Sequence, residues 1–84
     1  MLKITKPKAN SIQVTLKVEG KIVSDWVSLL EKECLSQMQE KQVLLDLSDV
    51  TYVDHRGVEM LQRLVASGVM VGSRSVFLNL LLKT

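Results

Sequence analysis

The clearest pattern along the chain is an alternation of period two. Ile12, Val14, Leu16 and Val18 fall on one side, and Gln13, Thr15 and Lys17 on the other. Successive side chains of a strand point to opposite faces, so this run predicts a strand with one buried face. A shorter alternation, Leu2 and Ile4 against Lys3 and Thr5, predicts an edge strand that Pro7 ends, because proline cannot donate to a ladder. Pro7, Asn10 and Ser11 place a turn between the two strands. Past Glu19-Gly20 the period changes. Val27, Leu30, Cys34 and Met38 recur at helical spacing with Trp26 and Leu35 beside them. Ser24 is a residue type that caps helix starts, and Asp25 follows where the helix dipole favours an anion, so a helix is predicted over residues 25–40.

Val43 to Leu47 then runs almost without a polar break, which predicts a central strand covered on both faces. Ser48-Asp49 predicts a bend, and Val50 to Val53 an extended approach to Asp54. Asp54 predicts the cap of a second helix with Val58, Leu61, Leu64 and Val65 as its buried stripe. Glu59 and Arg63 stand four apart in the order that favours pairing, and Gly68 closes the helix. Val69 to Val71 predicts a short strand and Gly72-Ser73 a break. Val76 to Lys83 reads as a third helix, with one longer strand as the alternative. The order β-β-α-β-α-β-α describes a single small α/β domain over residues 1–84, a mixed sheet with helices packed against it.

Composition narrows the functions. With Trp26, Tyr52 and Phe77 as its aromatics, the 84-residue chain must build an aliphatic core. One Cys excludes an internal disulfide, and one His leaves no set for a structural zinc site. Neither end offers a secretory or membrane segment: Val76 to Leu82 is far shorter than the roughly 20 apolar residues of a span. A cytoplasmic location is expected, and the unpaired Cys34 suits a reducing compartment. Lys3, Lys6, Lys8, Lys17 and Lys21 against Glu19 give +4 through Val23, leaving −2 of the total +2 for the rest. No Arg or aromatic is interleaved with these lysines, so they read as a solvated strand face and not as a nucleic-acid site. No phosphate-binding glycine loop is present.

The candidate chemistry lies in Asp54-His55-Arg56-Gly57, the polar cluster between two apolar elements. It reads either as a plain capped helix start or as an exposed turn offering donors to a partner. His55 and Glu59 share helical spacing, which is too few ligands for a metal site, and no nucleophile–base set is formed. Cys34 on the apolar stripe reads as a small buried hydrophobe. Trp26 is either core or a partner anchor.

The stretch Val43-Leu-Leu-Asp-Leu-Ser-Asp-Val-Thr-Tyr-Val-Asp-His-Arg-Gly57 resembles the central signature of STAS domains, the modules of anti-sigma-factor antagonists and of sulfate-transporter tails. Asp46-Leu47-Ser48, Val50-Thr51-Tyr52-Val53, Asp54 and Gly57 carry the match. Leu16 to Gly20 and Gly20 to Val27, with Trp26 early in the helix, resemble the family's second strand and a short subgroup. The resemblance implies a non-enzymatic protein-interaction module without cofactor. Its partner surface would centre on Asp54, His55, Arg56, Gly57 and Val58, with Ser24, Asp25 and Trp26 adjacent. The partner would be an anti-sigma protein of the kinase type, or the ATPase of a lipid or anion transport complex. Nucleotide binding would rest on family analogy alone. Anti-sigma-factor antagonists carry a phosphorylatable serine directly after the motif aspartate. This chain has His55 there, so the usual phosphate switch has no hydroxyl to act on. A homodimer through Leu2 to Lys6 or through the apolar C-terminal segment is also expected as an option.

Overall fold

The computed structural model describes residues 2–74. Four strands form one sheet in the order β1-β2-β3-β4: β1 Leu2–Ala9, β2 Gln13–Ile22, β3 Gln42–Val53 and β4 Met70–Arg74. Helix α1 (Asp25–Met38) links β2 to β3, and α2 (His55–Ala66) links β3 to β4. β1 pairs antiparallel with β2, whereas β2/β3 and β3/β4 are parallel. With β2, β3 and β4 all parallel, both connecting helices run back along the sheet and therefore parallel to each other. The single mixed α/β domain follows the expected order as far as β4. The expected third helix over Val76 to Lys83 lies outside the described residues.

The alternation in β2 does what the sequence requires. Val14, Leu16, Val18 and Ile22 are buried beneath the helices with Val43, Leu45, Leu47, Val50 and Val53 of β3. Val27, Leu30 and Cys34 of α1 and Met60, Leu61 and Leu64 of α2 close the layer from above. Ile12 is the exception to its stripe. It stands in the hairpin turn and is 73% exposed, while its carbonyl accepts from the Gln42 amide.

Three expectations need correction. Pro7 does not end β1: the strand continues to Ala9 through a register shift between Thr5 and Lys8. The edge position makes this possible, because an outward-facing proline removes no ladder bond. Ser48-Asp49 does not break β3 either. The strand runs from Gln42 to Val53 and absorbs its extra residues in two register shifts against β2. Gly72-Ser73, expected as a break, lies within β4. The described helices lie on one face of the sheet and touch each other, so cover for the second face of β3 would have to come from outside the described residues. Its Leu44 and Asp46 are half-buried on the other side, in a shallow depression that Thr15, Lys17 and Gly72 share.

The sheet also disperses the N-terminal lysines. Lys6 reaches Glu33 of α1 at 3.5 Å, and Lys17 reaches Asp49 at 3.1 Å, on the other side. The basic segment is therefore not one patch.

Candidate functional site

β3 ends at Val53 and delivers Asp54 to the space between the starts of the two helices. The Asp54 amide donates to the Ile22 carbonyl at 3.1 Å, which fixes the residue beside the end of β2. Its backbone is extended (φ −80°, ψ 176°), as an N-cap requires. One carboxylate oxygen, Oδ1, accepts from the Gly57 amide at 2.8 Å and caps α2. The other, Oδ2, accepts from the Ser24 amide at 3.0 Å, 30 residues away in sequence. Asp54 thus spends both oxygens on backbone amides. These bonds, first Ser24 and then Gly57, hold its carboxyl below the usual carboxylate range, with Arg56 and His55 adding to the effect.

Ser24 occupies the N-cap position of α1, but its side chain makes no capping hydrogen bond. Its backbone has φ 52° and ψ −127°. The Trp26 amide closes a turn onto the Val23 carbonyl at 3.0 Å. Ser24 therefore holds the second position of a type II′ turn, whose ideal angles of about +60° and −120° favour glycine. The sequence expectation of a side-chain cap fails here because ψ of −127° lies outside the extended range that a capping residue adopts. Among the described residues Ser24 is the non-glycine with positive φ.

His55 and Arg56 form the first turn of α2, which contains no acidic residue. The acidic group at this helix start is the N-cap Asp54, which stands beside both side chains. The His55 side chain is 88% exposed and meets Glu59 at 3.7 Å, a pair that is ionic only when the imidazole is protonated. Among the described residues no third His, Cys, Asp or Glu joins them. Arg56 is exposed, and no hydrogen bond or ion pair to it is found among the described residues. Glu59 does not pair with Arg63 as expected. Arg63 instead reaches Glu31 of α1 through both Nε (3.3 Å) and Nη2 (3.2 Å), because the neighbouring helix offers a two-point acceptor.

Gly57 is buried at the point where α2 crosses the sheet. A Cβ there would lie 2.6 Å from Val53 Cγ1 and 2.9 Å from the Ile22 carbonyl oxygen. The close approach that glycine permits is thus made by the protein's own backbone. Val58 is half-buried against the same core. The buried arc of α2 comprises Gly57, Met60, Leu61 and Leu64, and Val65, expected in the stripe, is 49% exposed. Met60 and the cradle of Ile22 and Val53 escape a sequence reading because glycine adds no hydrophobic signal at the centre of the arc.

The expected site residues divide into two halves. Arg56 and Arg63 are seven apart, hence on one flank of α2, and Arg63 faces Glu31 of α1. Seven residues before Glu31 stands Ser24, so the parallel helices bring Ser24, Asp54 and Arg56 to one level. Trp26 goes the other way. It shares a flank with Glu33, seven residues on, whose partner is Lys6 of β1. Half-buried Trp26 and exposed Leu29 line a shallow depression with Ser24 and Asp25. Leu29, absent from the expected set, completes it. Its spacing of three from Trp26, which sets the two on neighbouring helix positions, is the signal the sequence carries. Asp54 is the joint between the halves.

Comparison with known proteins identifies the fold and the family. A search of curated protein sequences finds no match. Among solved structures, the anti-sigma-factor antagonist SpoIIAA in its unphosphorylated form superposes with a TM-score of 0.68 at 10% identity, over 96% of this chain and 82% of SpoIIAA. A structure of Mglu superposes with a TM-score of 0.56 at 22% identity, covering 84% of this chain but 18% of Mglu. Mglu in its L-glutamate binding form gives 0.56 at 15% identity, over 88% of this chain and 27% of Mglu. At these identities the likenesses establish the fold. The profile of the STAS domain matches residues 3–80, nearly the whole chain, and the chain belongs to the STAS domain family.

Proposed function

We propose that this chain is a non-enzymatic docking module that binds a protein partner through the starts of α1 and α2. The observation that carries the reading is the first turn of α2. It presents His55 and Arg56 to solvent side by side at the start of the helix, next to the joint with α1. Arg56 makes no hydrogen bond or ion pair among the described residues, and a partner supplying acidic or polar acceptors would give it one. Ser24, Asp25 and Trp26 extend the surface across the joint, while Gly57 and Val58 support it from beneath. Of the known family partners, an anti-sigma protein of the kinase type fits the SpoIIAA-like fold and would make the module a transcription regulator in a bacterial cytoplasm.

A second reading keeps the surface and changes the partner to the ATPase of a lipid or anion transport complex. One observation favours it. The position after Asp54 is an imidazole without a hydroxyl, which suits binding that phosphorylation does not interrupt. Calorimetric titration of purified kinase-type and ATPase candidates from the same genome separates the readings. The docking surface is supported if one of them binds and His55→Glu weakens it about tenfold, equal to 1.4 kcal/mol. Equal affinity of wild type and His55→Glu removes the turn from the interface.

A further inference from the structure

The geometry points to Asp54 as a positioning residue that latches the strained turn of α1 to the start of α2, so that the two halves of the surface are held as one. Three observations converge on it. Ser24 holds a backbone conformation that L-residues avoid, with φ 52° and ψ −127°. Within its own turn the Trp26 amide closes onto the Val23 carbonyl at 3.0 Å, while the Ser24 side chain makes no cap. A further tie comes from outside the turn, the bond from the Ser24 amide to Asp54 Oδ2 at 3.0 Å. Asp54 is itself immobilised by two further contacts, its amide on the Ile22 carbonyl and Oδ1 on the Gly57 amide. The strained residue is therefore tied to one anchored on both the sheet and α2.

An ordinary N-cap needs one carboxylate oxygen, and the second oxygen here does a different job. Without it, Ser24 is free to leave the type II′ turn, the Val23–Trp26 closure opens, and Asp25, Trp26 and Leu29 move independently of His55 and Arg56. The significance of that motion for binding rests on the docking reading. The latch itself is a property of the free protein and is tested there.

Amide hydrogen exchange of the free protein reads it directly. The Trp26 amide reports the turn, and the Leu16 and Val18 amides of β2 report global opening. The variants are Asp54→Asn, which retains one acceptor oxygen, Ser24→Gly, which suits the turn, and the double variant. The expected result is Trp26 exchange about tenfold faster in Asp54→Asn, with Leu16 and Val18 changed less than about twofold. In the Ser24→Gly background the same substitution is expected to accelerate Trp26 less than about threefold, because glycine accepts the turn unaided. Trp26 exchange unchanged in Asp54→Asn overturns the latch. So does equal acceleration at Trp26, Leu16 and Val18, which would make Asp54 a plain helix cap. An equal local effect in both backgrounds overturns the part played by strain. None of these readings involves a partner, so failure of the latch and failure of docking are separate outcomes.

Discussion

Replacing Gly57 by alanine adds one methyl group where the sheet leaves no room for it. The new Cβ would sit 2.6 Å from Val53 Cγ1, 2.9 Å from the Ile22 carbonyl oxygen and 3.2 Å from Ile22 Cγ2. Comfortable separations between such atoms are about 3.5–4.0 Å. The valine methyl can rotate away, but the carbonyl is backbone and already accepts from Asp54 at 3.1 Å. Relief therefore requires α2 to lift from the sheet and the Asp54 joint to loosen. Overpacking of this kind costs about 1–3 kcal/mol. Alanine returns up to about 1 kcal/mol of helix propensity, less in a first turn than in a helix interior. The expected net loss is about 1–2 kcal/mol, a fall in Tm of roughly 4–16 °C at 4–8 °C per kcal/mol for a domain of this size. Urea unfolding followed by Trp26 fluorescence and far-ultraviolet circular dichroism measures it. A double-mutant cycle with Val53→Ala identifies the cause, because removing the valine methyls vacates the nearest contact and makes the two losses less than additive. A Gly57→Ala variant as stable as wild type, or more so, would refute the close-packing argument for this turn.

Acid should act through Asp54. Its folded pKa lies below the unfolded value of about 3.9, so its contribution is present above that range and is lost as pH falls through the folded pKa. Asp54→Asn should flatten the acid limb of a stability–pH curve, and an unchanged limb would contradict the double-acceptor geometry. Burial pushes the Cys34 thiol up to about 12, so a thiol reagent should label it only as fast as the native protein opens, and quickly in urea. Rapid labelling of the native protein would place Cys34 at the surface. Met60→Ala should cost about 2–5 kcal/mol and Val65→Ala less than about 0.5 kcal/mol, measured by the same urea titration. The reverse order would restore the stripe read from the sequence.

The strands were legible because period-two burial is a local property. Val14, Leu16 and Val18 alternate with polar neighbours, and each faces the core. Pro7 and Ser48-Asp49 misled for a single reason. Both read as strand breakers, yet an edge strand and a strand with bulges accommodate them without losing the sheet. The α2 stripe was misplaced toward Val65 because its true centre is a glycine. Asp54 as a cap could be read from residue type alone. Its bond to Ser24 could not, since it joins residues 30 apart and depends on a backbone angle that no serine-specific pattern announces. The same long-range pairing sent Arg63 to Glu31 in place of Glu59. Local chemistry was thus visible in the sequence, and the joint between elements was not.

The central claim is that the starts of α1 and α2 together form the docking surface. Titrating isotope-labelled protein with a bound partner and mapping the backbone amide shifts tests it most directly. The account predicts that the largest changes fall at residues 24–26 and 54–58, with Lys8, Thr15 and Lys17 of the opposite sheet face unaffected. Changes confined to that opposite face, with His55 and Arg56 undisturbed, would contradict it.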